Sequence, residues 1–258
     1  MGVVRVSLLA CCVAFVCTVP ALAQTLDRGL LRVLISESSA MPFAQFARVG
    51  DKSVVHSGLE KDWADALAHK MGRVPEFVPI PAKRVMAMAA QGGFDLQCFQ
   101  SPSWYGSSGK AVYERFPDPL LIIEERLVGL PTTKLVHGPG ELKGKRLGVV
   151  LGCRYPALDA LFAANDVVRE EAVNEVSLLQ KQIKGRADYS IVKSINLAYA
   201  RKRDPAYAVL VESPWVVSRT ELHCMRVLAS PIPLAEMVQA HRDLVAQGVL
   251  SRLLASYR

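Results

Sequence analysis

Gly152-Cys153-Arg154-Tyr155 stands directly ahead of a helical pattern, Pro156 to Ala164. Backbone N–H groups at a helix start attract an anion, and the Arg154 guanidinium can clamp one. Phe43, Trp104 and Tyr105 offer aromatic walls for apolar or stacking contact, and Trp104 and Tyr105 lie in a polar Ser-Pro-Ser stretch. Ser107-Ser108-Gly109-Lys110 sets a lysine beside hydroxyls, without the spacing that implies a nucleophile. Gly138 to Arg146 is glycine-rich but fails the phosphate-loop pattern. Its glycines are spaced one residue too far apart, and Arg146 replaces the required Ser or Thr. No GxSxG or HExxH occurs. These groups suit binding better than catalysis, so no enzyme is expected. In an enzyme, a carboxylate such as Glu37 would serve as general acid.

The chain has 258 residues, and its start reads as an export signal. Arg5 supplies the positive end, Val6 to Val19 is almost wholly apolar, and Ala21-Leu22-Ala23 is a small-residue cleavage site. Cutting before Gln24 removes a signal peptide, 1–23, and leaves a periplasmic chain of about 235 residues. Six cysteines are present, and Cys11, Cys12 and Cys17 leave with the signal. The remaining Cys98, Cys153 and Cys224 allow one disulfide and one free thiol, or none. The mature chain has no CxxC pair and its histidines are isolated, so no metal site and no cofactor are expected. The net charge of +7 is scattered, with no aromatic-interleaved basic stripe, which argues against a nucleic-acid partner.

The elements that must position these residues follow from hydrophobic period. Leu30 to Ser36 reads as a buried strand. Leu59, Trp63, Ala66, Leu67 and Met71 recur at helical spacing from Gly58 to Met71, with Ser57 as cap and Gly72 as stop. Glu76 to Ile80 is a strand, Lys83 to Ala90 a helix and Phe94 to Phe99 a strand. After an extended run, Leu121 to Leu130, the pattern restarts. Arg146 to Leu151, Val167 to Glu170 and Ala187 to Val192 are strands; Pro156 to Ala164, Val176 to Ile183 and Ile195 to Arg203 are helices. Leu222 to Leu228 is a last strand, followed by helices at Leu234 to Ala246 and Leu250 to Ser256. The order predicts an α/β fold of two Rossmann-like lobes. The leftover strand and helices suggest that the first lobe is discontinuous.

Several stretches resemble the periplasmic amino-acid-binding proteins of ABC importers, which have the type II periplasmic-binding fold. They are Met41-Pro42-Phe43, Gly58-Leu59-Glu60-Lys61-Asp62-Trp63, Gly92-Gly93-Phe94-Asp95, Phe116-Pro117-Asp118-Pro119, Glu141 to Val149 and Gly185-Arg186-Ala187-Asp188. The resemblance implies lobe one over 24–122 and 219–258, lobe two over 123–218, and two hinge strands between them. Ligands of such sheets sit outside the carboxyl ends of the strands. The lining loops would lie around Pro42-Phe43, Gln100 to Lys110, Gly152 to Tyr155 and Val192 to Ser194.

Lys110 aligns where the family usually grips an α-carboxylate with arginine, and Ser107 aligns with its hydroxyl residue. Lys193 aligns where the family usually pairs an α-amino group with aspartate. With Lys110, Arg154 and Lys193 all facing the cleft, the ligand should be anionic. Cys98 and Cys224 fall on lobe-one strands and can pair, closing a loop of about 125 residues. The implied protein is a monomer that serves an inner-membrane ABC permease or a membrane sensor. A dehydratase-like enzyme on the same scaffold is the remaining alternative.

Overall fold

The computed structural model describes residues 1–2 and 29–257. The apolar run Val6 to Val19 and the cut before Gln24 lie outside the described residues. The first half contains β1 (Leu30–Ser36), β2 (Gln45–Val49), β3 (Lys52–Ser57), α1 (Leu59–Lys70), β4 (Val74–Ile80), α2 (Val85–Ala90), β5 (Leu96–Gln100), α3 (Gly106–Lys110) and β6 (Tyr113–Arg115). β7 (Leu121–Gly129) leads into β8 (Arg146–Val150), α4 (Asp159–Ala163), β9 (Val168–Ala172), α5 (Glu175–Ile183), β10 (Tyr189–Lys193) and α6 (Ser194–Arg203). β11 (Val211–Val227), α7 (Leu234–Ala246) and α8 (Val249–Ser256) complete the chain.

Among the described residues, one nine-stranded sheet runs β4-β1-β5-β11-β7-β10-β8-β9, with β6 also on β11. β1 pairs in parallel with β4 and β5, and β8 pairs in parallel with β9 and β10. β11 joins the two parallel groups. Its early residues pair with β7, and Met225 and Arg226 pair with β5 and β6. The two α/β lobes are thus linked through β7 and β11.

Side-chain alternation builds a core on each face of each parallel group. From β1, Leu31 and Val33 enter the core formed with α1, α7 and α8, while Leu34 enters the one under α2. From β8, Leu147 and Val149 join Tyr155 and Leu158, while Val150 joins Leu178 and Leu197. The C-terminal helices pack on α1 through Met237, Ala240 and Leu244, which returns the chain to the first lobe.

The two lobes share a turn device. Asp95 accepts from the Arg32 backbone N–H at 2.9 Å, and Asp188 accepts from the Arg146 N–H at 2.7 Å. Asp95 is also held by the Arg32 guanidinium and the Ser230 hydroxyl. Beside burial, which acts against the charge, these donors hold its carboxyl below the usual aspartate range. The Gly-Gly-Phe-Asp and Gly-Arg-Ala-Asp stretches are therefore structural.

Three local expectations are corrected. Ser57 does not cap α1; its hydroxyl donates to Gln45. The Leu59 and Glu60 N–H groups donate to the carbonyls of Pro42 and Phe43. Gly58, at φ 125°, makes this possible, because a Cβ there would lie 2.3 Å from the Phe43 oxygen. Between β1 and α1, where no strand is expected from the sequence, the chain forms the β2–β3 hairpin. β11 also begins eleven residues before the expected Leu222, at Val211. Its half-exposed stretch has no clear apolar alternation to mark it.

Candidate ligand-binding site

A cavity of about 530 Å³ lies between the lobes. The first lobe contributes Ser39 and Phe43 after β1, Glu60 at the start of α1, Gln97 of β5, and Trp104 and Tyr105 beyond it. The second contributes Gly152 to Tyr155 after β8, Glu175 at the start of α5, and Lys193 at the end of β10. Glu125, in β7, sits at the junction. The site is therefore built from strand ends and helix starts, where the fold leaves backbone N–H groups pointing outward.

The lobes touch around it. Asn196, in the first turn of α6, donates to the carbonyls of Ala40 and Met41, each at 3.1 Å. Arg154 lies against Gly106, where a Cβ would come within 2.7 Å of its Nη1. Gly152 lies against the Lys83 backbone.

Phe43 is buried edge-on against Phe99, with ring centroids 5.7 Å apart. Trp104 packs on the first-lobe core with its ring 5.9 Å from the Lys193 Nζ. The Tyr105 hydroxyl lies 2.8 Å from Gln100 Oε1 and 3.2 Å from Gln97 Oε1. Tyr155 is also a core residue, and its hydroxyl accepts from the Val150 N–H at 3.0 Å.

Charge is distributed differently from the sequence expectation. Ser107 and Lys110 do not line the cavity. Pro102 to Tyr105 forms a 3-10 turn and α3 follows, so Tyr105 and Ser108, three residues apart, face inward together. Lys110 instead lines a separate cavity of about 310 Å³ with Tyr113 and Arg115. Arg154 lines the cleft but is half exposed and ion-paired to Asp159 at 2.8 Å. Lys193 is inside, yet its ammonium is ion-paired to Glu175 Oε1. Burial opposes that charge, but Glu175 and Glu125 outweigh it and hold the ammonium well above the usual lysine range. Glu37, the sequence candidate for a general acid, is not among the lining residues.

The carboxylates were missed. Glu60 accepts from the Ser39 hydroxyl at 2.8 Å, and burial pushes its carboxyl up to about 8 against that bond and Lys193. Burial also raises Glu125, opposed by Lys193 and by the Ser218 hydroxyl, which donates at 2.7 Å. Glu60 and Glu175 each sit in the first turn of a helix that starts at a strand end, a signal the sequence did carry. Glu125 lies mid-strand and only tertiary packing reveals it.

Cys98 and Cys224 form a disulfide between β5 and β11, beside the irregular register of His223 and Met225. Cys153 is free, and burial pushes its thiol up to about 11, so it is no ready nucleophile. Among the described residues, no group of three or more His, Cys, Asp or Glu is arranged to hold a metal.

No family model matches the sequence, and no curated protein matches it. Solved structures do match. An ancestral arginine-binding protein bound to arginine superposes with a TM-score of 0.72 at 20% identity, over 90% of this chain and 99% of that one. The chain has the two-lobed type II periplasmic-binding fold. An ancestral amino-acid-binding protein, a precursor of cyclohexadienyl dehydratase, matches with a TM-score of 0.70 at 20% identity, over 89% and 96% of the chains. A histidine kinase sensor domain with similarity to periplasmic binding proteins matches with a TM-score of 0.72 at 16% identity, over 88% and 95%. The same periplasmic-binding fold thus occurs among these matches in binding proteins, in a dehydratase precursor and in a sensor.

Proposed function

We propose that this chain is an exported, monomeric solute-binding protein that captures a small organic ligand by closing its lobes about β7 and β11. The reading is carried by the interlobe cavity, which is large enough for a small metabolite and takes its polar groups from both lobes. Delivery to an ABC permease is the role favoured by the amino-acid-transporter matches. Signalling to a membrane partner is the corresponding role for the sensor match. Lobe one, in this reading, comprises 24–122 and 219–258, and lobe two 123–218.

A melting-temperature screen of the purified mature chain against amino acids, amines, dicarboxylates and aromatic acids tests the reading. A ligand at 100 times its dissociation constant adds about 2.7 kcal/mol of stability. A melting temperature unmoved by every class would remove the small-molecule reading and favour a protein partner. For whichever ligand is found, Lys110→Ala is expected to leave the affinity unchanged, because Lys110 faces the smaller cavity. Calorimetric titration checks this, and a marked loss would place the ligand elsewhere.

A dehydratase-like enzyme is the second reading, and Glu60 is the observation that favours it. A carboxyl that stays protonated near neutral pH can act as a general acid. Loss of a cyclohexadienyl acid's absorbance with the wild type but not with Glu60→Gln would support catalysis.

A further inference from the structure

The cleft is short of positive charge. Glu60, Glu125 and Glu175 line it and are only 4%, 8% and 3% exposed, against one buried ammonium, that of Lys193. The other cations of the lining lie at its mouth. Arg154 is tied to Asp159, and Lys83 is exposed. Each carboxylate has one oxygen partnered within the protein: Glu60 with Ser39, Glu125 with Ser218, Glu175 with Lys193. Glu60 Oε2 and Glu175 Oε2 are buried without a partner, and so is Gln97 Nε2.

Buried polar atoms of folded proteins are rarely left unpaired, and these three belong to side chains that line one cavity, which argues for a missing occupant. Two of the three are carboxylate oxygens, one on each lobe, in the first turns of α1 and α5. A cation placed between them would meet both lobes at once. The Trp104 ring already faces one cation, Lys193, and the aromatic walls suit a second. Burial raises the titration of both Glu60 and Glu125, so each releases its proton more readily once a cation lies beside it.

We propose that the cleft binds a small organic cation whose ammonium or amidinium donors bridge Glu60 Oε2 and Glu175 Oε2, with a hydrogen-bond acceptor set against Gln97 Nε2. Lys193 is then a tethered competitor. Its ammonium occupies part of the acidic site and limits affinity for a charged ligand. This inference rests on the solute-binding reading of the same cleft, and it reverses the ligand charge expected from the sequence.

The test is calorimetric titration of the mature chain with putrescine, agmatine and L-arginine, and with succinate and benzoate as anionic controls. The cationic probes are expected to bind and the anions not. Glu60→Gln and Glu175→Gln should each weaken cation binding by about tenfold or more, the worth of a charge-assisted bond. Lys193→Met should strengthen it, with circular dichroism confirming that the variant folds. Glu60→Gln, which keeps size and the Ser39 acceptor, preserves the test if Lys193→Met does not fold. Binding of succinate or benzoate that is lost in Lys193→Met would overturn the cation proposal and leave the solute-binding reading intact. If none of the five probes binds, the cation proposal falls with them. Stabilisation by some other class in the melting screen would then keep the broader reading, and silence there would remove both.

Discussion

Breaking the Cys98–Cys224 bridge is expected to lower the unfolding free energy by about 4–5 kcal/mol, the entropy of closing so long a loop in the unfolded chain. The two residues are 126 apart, and the whole second lobe lies between them. Both are buried in the core formed by β1, β5, α1 and α7. Urea unfolding followed by circular dichroism, with and without a thiol reductant, measures the effect without altering side-chain volume. Cys98→Ala with Cys224→Ala should shift the midpoint in the same direction, with a small extra loss from the missing sulfur atoms. Equal midpoints in oxidised and reduced protein would mean that the unfolded chain gains no freedom when the bridge opens. The melting screen should therefore be run on oxidised protein.

Glu60→Gln should raise the stability of the unliganded protein at alkaline pH while weakening ligand binding. The Glu60 carboxyl is held up to about 8, from an ordinary value of 4.5, chiefly by burial. Between those two values the folded chain keeps a proton that the unfolded chain has released. Stability therefore falls as pH rises through this window, and the loss is complete above about 8. At 1.36 kcal/mol per unit, the loss approaches about 4–5 kcal/mol. Glutamine carries no proton to lose, so the variant should escape this slope.

Other groups act on the same axis. Glu125 is raised by burial and adds a slope of the same sign. His241, stacked edge-on between Trp63 and Phe116, is lowered by burial. Its contribution is present above the ordinary histidine value and is lost as pH falls through its lowered one. Lys193 is raised, so its contribution fades only above the ordinary lysine range. Subtracting the variant's pH profile from the wild type's isolates Glu60, because the other groups are common to both. Parallel profiles from pH 5 to 9 would mean that the carboxyl ionises normally and that the acidic cleft is well hydrated. A protein less stable above pH 8 for the sake of an acidic cleft would fit a site built for a ligand rather than for the empty state.

Helices and buried strands were legible because their apolar period is local. Leu30–Ser36 is a strand as expected, and the α1, α5, α6 and α7 patterns fall within a residue of the observed helices. The disulfide was legible once both cysteines were assigned to strands of one lobe. The β2–β3 hairpin and the first half of β11 were not. Their side chains are half exposed, so neither has a clear apolar face, and the partner of the first half of β11 is the distant β7.

For the site, the order of strands and helices was enough to say which loops meet. Phe43, Trp104, Tyr105, Arg154, Tyr155 and Lys193 all reach one cavity, because each follows or ends a strand of a parallel group. The sign of the cleft's charge followed from packing instead. One turn of helix sends Lys110 to the opposite side of its loop, Asp159 ties Arg154 at the mouth, and Glu175 and Glu125 surround Lys193. A residue's charge is written in the sequence. Its surplus or deficit is set by the partners that packing brings beside it and by the depth at which water is lost, and both depend on how the two lobes close.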